Sequence, residues 1–379
     1  MTIFDRRPRL RWAVPAAAGA LILSSAAAGT VIASADAGLP PRTAQELLVD
    51  LQDPQTDTVS GTVVASADLG LPALPTGMGA SADLTSLVSG SHTLRVWSDG
   101  PDRARLAMIG SSEESVVIRN GRDVWVWSSD GDTVDRYVLP ERDAAQKADA
   151  ADRLPELPST PQEAATLVLA ALDETTAVTT SGAARIAGRD AYELVLTPKQ
   201  SDTLVSRVVI AMDAEKRIPL RVQVFSTELP GPAYEVGFTS VDFSTPDAEL
   251  FAFTPPAGAT VTDHSAEGMK AEAGSGMAKP DASLEPTVVG SGWSQVVIAQ
   301  LPVDMAASAV AASEDSASAS PMSGLDAASL LESLPRISGE WGTGRVLSGT
   351  LVSAILTDDG RVALGAVTPE TLGAALAAQ

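Results

Sequence analysis

Two dipeptides, Asn120-Gly121 and Asp130-Gly131, cut residues 114–139 into three alternating runs. The runs read ESVVIR (114–119), DVWVWS (123–128) and TVDRYVL (133–139). Asn, Asp and Gly reach the positive φ values that tight hairpin turns demand. Period-two alternation beside such turns marks half-buried strands. Parallel neighbours would need a crossover of a dozen or more residues, and there is no room for one here. These residues therefore form an antiparallel meander, which excludes an all-helical or a doubly wound fold.

The same grammar continues in both directions. HTLRVW (92–97) turns at SDGP into RARLAMI (103–109), and DTVSGTVVAS (57–66) precedes them. After a polar stretch (140–158) come AARIAG (183–188), DAYELVLTP (190–198), SRVVIAMD (206–213), IPLRVQVFS (218–226) and YEVGFTSVDF (234–243). Two helices interrupt the strands. PPRTAQELLVDLQD (40–53) carries Thr43 and Glu46 at capping-box spacing, with Leu47, Leu48 and Leu51 on one face. STPQEAATLVLAALDE (159–174) starts with Thr160 as cap and Pro161 in the first turn. A sheet of about ten strands should curl rather than stay flat and open, and its concave face must then be filled by helices or by ligand. The expected class is α+β: a curled antiparallel half-barrel covered by helices, followed by a small C-terminal α+β domain.

Alternation sorts the strand residues by face. Tyr192, Leu194 and Leu196 share a face, opposite Glu193. Ile210 lies with Val208 and Met212, and Val222 lies with Leu220 and Val224, opposite Arg221 and Gln223. Leu106 and Met108 oppose Arg103 and Arg105. Trp125 and Trp127 share a face, with Val124 and Val126 on the other, and position alone does not say which face is concave. Trp125, Trp127, Leu106, Met108, Tyr192, Leu194, Leu196, Ile210 and Val222 are the candidate walls of a hydrophobic site. The plain alternative for each is core beneath the helices.

The chain ends are organised differently. RRPRLRW (6–12), an apolar run (13–32) and ASADA (33–37) read as an export signal, so residues 1–35 are a signal peptide or a membrane anchor that touches the bilayer through 13–32 if uncleaved. The first domain spans 40–261, and residues 262–289 read as a linker. A smaller unit spans 290–379, holding a low-complexity insertion (305–324), a hairpin at Asp359-Gly360 and a capped helix TPETLGAALAA (368–378).

Several chemistries are excluded. The chain has no cysteine, which removes disulfides, thiolate metal sites, cysteine nucleophiles and a lipobox. A net charge of −22 repels phosphate backbones, so no nucleic-acid partner is expected. The only histidines, His92 and His264, fall in a strand and in a polar stretch. No nucleophile elbow, Walker loop or zinc-protease motif appears. Asp358-Asp359-Gly360 reads as a turn, and SDGD (129–132) lacks the later ligands of a calcium loop. No catalytic residue, metal or cofactor is expected.

The arrangement resembles the LolA/LppX-type lipoprotein-carrier superfamily. VIRNGRDVWVWSSDGDTVDRY (117–137) is similar to its strand–turn–aromatic hairpin. GRDAYELVLTPK (188–199), VVIAMDAEKRIPLRVQVFS (208–226) and FTPPAGATV (253–261) are similar to its later strands and domain end. GRVALGAVTPETLGAAL (360–376) is similar to the closing strand and helix of RseB/MucB-type regulators. The resemblance implies a non-enzymatic, exported protein at the outer face of the cytoplasmic membrane or in the cell envelope, secreted or membrane-anchored. It would bind lipids or the acyl chains of lipoproteins in its concave face. The alternative it implies is an envelope-stress regulator whose partner is a membrane anti-sigma factor.

Overall fold

A computed structural model describes residues 39–70, 90–110, 114–129, 131–139, 158–170, 172–264, 286–300 and 333–378. The expected export signal, the 305–324 insertion and most of the expected linker lie outside the described residues. The first sheet contains β1 (Thr58–Ala67), β2 (Gly90–Asp99), β3 (Arg103–Ile109), β4 (Glu114–Asn120), β5 (Asp123–Ser128) and β6 (Thr133–Val138). It continues with β7 (Thr176–Ile186), β8 (Arg189–Pro198), β9 (Val205–Asp213), β10 (Pro219–Ser226), β11 (Pro232–Asp242) and β12 (Thr260–His264). Its order is β12-β6-β5-β4-β3-β2-β1-β11-β10-β9-β8-β7. Two consecutive meanders are thus zipped together by the β1–β11 pair. Every pairing is antiparallel except β12 on β6, which is parallel. Residues 262–264, expected to open the linker, are the end of that added edge strand.

The tight turns carry the meander as read, with one refinement at the first. Asn120 pairs with Asp123, so the two loop residues are Gly121 and Arg122. Gly121 has φ 63°, and among the described residues only Asp132, Ala187 and Arg217 join the glycines at positive φ. A glycine at the first loop position is the type II′ requirement, so Asn120 is a strand residue.

Helix α1 (Ala44–Gln52) has the expected reciprocal cap: the Thr43 hydroxyl accepts from the Glu46 N–H, and the Glu46 carboxylate accepts from the Thr43 N–H at 2.8 Å. Helix α2 spans Pro161–Ala170, and the Thr160 hydroxyl accepts from the Glu163 N–H at 3.2 Å. Both lie on one face of the β7–β11 half of the sheet, α1 against β7 and β8 and α2 against β10 and β11. Leu47, Leu51, Ala164 and Ala165 are buried there with Leu194, Leu196, Ile210 and Val222.

The class is α+β as read, with a large antiparallel sheet beside a smaller one, but the large sheet is open and uncurled. The reason is visible in the packing. Apolar surface is buried on both faces, and Leu94, Val96 and Met108 carry the helix-bearing core into the first half. The β7–β11 half buries the face under α1 and α2. On β3 and β4, Ala107, Val116 and Ile118 are buried on the other face, with Trp97, Trp127 and Phe253 against them. A sheet covered on both sides has no single concavity to close around.

The second sheet is β13-β14-β18-β17-β16-β15, from β13 (Thr287–Val289), β14 (Val296–Gln300), β15 (Arg336–Gly339), β16 (Gly342–Ser348), β17 (Ser353–Thr357) and β18 (Arg361–Gly365). Helix α3 (Pro369–Ala377), capped by the Thr368 hydroxyl, buries Leu372 and Leu376 against Val296, Ile355 and Ala363. The two sheets are fastened to each other. The Leu204 N–H and the Thr203 hydroxyl both donate to the Ala366 carbonyl, at 2.8 and 2.9 Å. Thr350 donates its N–H to Leu69 and its hydroxyl to Asp68, both at 2.8 Å. The Trp293 indole donates to Thr176 at 2.8 Å and packs on the first core.

Candidate functional site

Cross-strand register places every expected wall residue. Leu194, Ile210 and Val222 lie in one row across β8, β9 and β10. The row continues through Val236 to Ala65, and the next apolar residue of β1, Val63, pairs with Leu94 and through it Met108. Tyr192, Leu194, Leu196, Ile210, Val222, Met108 and Leu106 therefore share one face, as alternation predicts.

Trp125 and Trp127 do not join them. Leu106 pairs with Val117, and Val117 with Val126. The tryptophans alternate with Val126, so they point to the opposite face. There Trp125 lies 5.5 Å from Phe253, with the Arg136 guanidinium 5.2 Å from its ring. The Trp127 indole donates to Asp132 at 3.4 Å. The expected set is split because alternation fixes faces within a strand and not the relative face of two strands of the meander, here β3 and β5. The register supplies it, and it exchanges the tryptophans for Val124 and Val126. Reading outward from Leu106 would have given the same answer, had the β3–β4 turn been placed to the residue.

The helix-bearing face has two parts. Under α1 and α2, Leu194 is 1% exposed and Leu196, Ile210 and Val222 are 0% exposed, so these four are floor rather than open wall. Two phenols fix the helices above them. The Tyr192 hydroxyl donates to the Pro40 carbonyl at 2.9 Å, just before α1, and the Tyr234 hydroxyl donates to the Pro158 carbonyl, just before α2. Burial pushes both phenols above their ordinary range, so both stay protonated donors. Beyond the helices, Leu106, Val117, Val124 and Val126 are only half-buried. Neither α1 nor α2 packs on β3, β4, β5 or β6 to any extent comparable with β10. This apolar strip on β3–β5 is the accessible part of the face.

The polar groups do structural work. His264 Nε2 lies 2.8 Å from Asp135 Oδ1, and its ring stacks on Tyr137 at 4.7 Å, which ties β12 to β6. Asp358 and Asp359 do not share a ligand. Thr343 and Arg336 hold the first, Thr357 and Arg361 the second. Those hydroxyls, then the arginines, keep both carboxyls below the ordinary range. Among the described residues no group of three His, Asp or Glu side chains could hold a metal. None of the described helices is long and apolar enough to cross a membrane.

A family described as "Predicted periplasmic protein (DUF2092)" matches residues 81–263, just under half the chain. No curated protein matches the sequence. Among solved structures the chain is similar to the MucA/MucB complex of Pseudomonas aeruginosa, at 15% identity over 88% of this chain and 96% of that one, TM-score 0.42. It is similar to a LolA superfamily protein of Nitrosomonas europaea at 13% identity, over 56% of this chain and 99% of that one, TM-score 0.22. An uncharacterized conserved protein of Thermus thermophilus matches at 12% identity, over 58% of this chain and 98% of that one, TM-score 0.33. Likenesses this distant assign no residue a role.

Proposed function

We propose that this protein is a non-enzymatic binder of lipids or of lipoprotein acyl chains, working outside the cytoplasmic membrane. One observation carries the reading. The helix-bearing face is apolar across both halves of the sheet, and α1 and α2 cover only the β7–β11 half. An acyl chain needs dry, adaptable walls and no catalytic group. Each buried methylene contributes about 0.8 kcal/mol. In this reading the chain lies along Leu106, Val117, Val124 and Val126. Met108 lies buried at the edge of the strip beside Leu94, and Tyr192, Leu194, Leu196, Ile210 and Val222 extend the wall when α1 or α2 shifts. Trp125 and Trp127 line nothing on that side. The periplasmic description of the matching family accords with an exported protein.

The test is titration with a fluorescent fatty acid, comparing the natural chain with Val126→Asp and with Trp127→Phe. The reading requires saturable binding that Val126→Asp weakens at least tenfold and Trp127→Phe leaves alone. Equal loss in both variants, or no binding at all, sinks it.

A second reading is a regulator that grips a membrane anti-sigma factor. What favours it is an apolar hollow of about 390 Å³ on the second unit, between Ile337, Trp341, Gly373 and Ala377. A peptide side chain would fit there. Competition between the fluorescent fatty acid and an anti-sigma ectodomain separates the two readings.

A further inference from the structure

The face of the large sheet opposite α1 and α2 carries a second hollow, of about 270 Å³, over β11, β1 and β2. Two adjacent cross-strand rows build it. One is Ser240–Thr62–Arg95, and the other is Asp242–Ser60–Trp97. All six side chains alternate to the same face. The sheet is irregular just here: Thr62 pairs with Ser240 but Val63 pairs with Phe238, so Thr239 is an extra residue in β11. Bulges of this kind re-aim side chains beside functional sites. Gly61, between Ser60 and Thr62, lies so close to β11 that a Cβ would collide with the Ser240 carbonyl and the Phe238 ring, so β1 and β11 approach closely at this point.

Four of the six side chains around it have no hydrogen-bond partner among the described residues. Arg95 is exposed, and among the described residues it forms no ion pair or hydrogen bond. The hydroxyls of Ser60, Thr62 and Ser240 likewise have no partner among the described residues. Trp97 is half-buried, braced from the β3 side by the Arg105 guanidinium 5.8 Å from its ring, which leaves its β1 side toward the hollow. Asp242 accepts from the Ser244 N–H at 2.6 Å and also from the Ser244 side chain, which fixes its exposed carboxylate at the rim.

This combination narrows the ligand by elimination. A carboxylate within the ring of residues disfavours a bare anion, and an arginine disfavours a bare cation. The chain's net charge of −22 repels polyanions. What suits it is a neutral molecule with one apolar face for an indole and a rim of groups that both donate and accept. We infer that this hollow binds one pyranose unit of a neutral polysaccharide, with its C–H face on Trp97, its hydroxyls donating to Asp242 and accepting from Arg95, and Ser60, Thr62 and Ser240 completing the rim. The volume equals that of roughly nine liquid waters at ~30 Å³ each, which suits one ring and not a whole oligosaccharide. The site lies across the sheet from the proposed lipid face and does not depend on that reading.

The experiment is a screen of the natural full chain on an array of neutral oligosaccharides, followed by calorimetric titration with the best of maltotriose, cellotriose and chitotriose. Arg95→Gln and Asp242→Asn serve as variants, because both side chains are at the surface and neither holds the fold. The expected result is saturable binding that each variant weakens at least tenfold with an unchanged melting temperature. Trp97→Phe should weaken it less. Failure of the natural chain to bind any oligosaccharide, or binding that survives both polar substitutions, overturns the inference. Competition by inorganic phosphate for the same site would overturn it in favour of an anion.

Discussion

At the residue scale, the most consequential polar group is Asp213, at the end of β9. Its side chain is 0% exposed and receives Arg189 Nε at 2.6 Å and Nη2 at 3.0 Å. The Glu215 and Lys216 N–H groups also donate to it, at 2.9 and 2.7 Å. Burial alone would raise its pKa, but the Arg189 hydrogen bonds and the two backbone donors outweigh burial and hold it below the ordinary value. A depressed carboxyl contributes stability above its unfolded pKa, about 3.9, and loses it as pH falls through the folded value. Acid unfolding of Asp213→Asn should therefore lack that component below about pH 4. Arg189→Ala leaves the carboxylate buried and unpaired, and should cost about 3–5 kcal/mol at neutral pH in a urea titration. A loss under about 1 kcal/mol would mean water reaches Asp213. Nothing in the sequence marked this pair. Arg189 and Asp213 stand on neighbouring strands far apart in the chain, and spacing carries no signal for such a contact.

At the element scale, local chemistry was legible and relative placement was not. The Thr43–Glu46 cap, the Asn-Gly hairpin and the Thr368 cap all form near where the residues put them, because each depends on neighbours within a few positions. The parallel addition of β12 to β6 was missed. Its sequence, TVTDH, is short, largely exposed and joined to β6 only through a distant return of the chain. The face of the tryptophan pair stayed open for a related reason: period two gives faces within a strand, while the face shared by β3 and β5 depends on register. Helix α1 offers a direct check. Leu47 is 1% exposed, so Leu47→Ala should cost about 2–5 kcal/mol. Thr43→Ala should cost about 1 kcal/mol. Equilibrium denaturation with α1 contributing little would show both near zero.

At the scale of the whole molecule, the two sheets share hydrogen bonds and a packed tryptophan, so they should unfold together. Gly292, with φ 57°, sits where a Cβ would collide with the Thr175 hydroxyl, and this closeness brings Trp293 onto the first core. Scanning calorimetry should show one transition for the natural chain and two for Trp293→Ala, and two in both would mean the units are independent. The open sheet matters in the same way. It presents one face to helices and an apolar strip, and the other to aromatic packing and a polar hollow, so two ligand classes would not compete for one surface. Lipid on the apolar strip of β3–β5, as proposed, should be visible by native mass spectrometry, with lipid extraction, of the protein purified from its own host. A bound lipid that is released on unfolding and absent from Val126→Asp is the expected result. Protein of bare polypeptide mass, recovered gently and still folded, would contradict it.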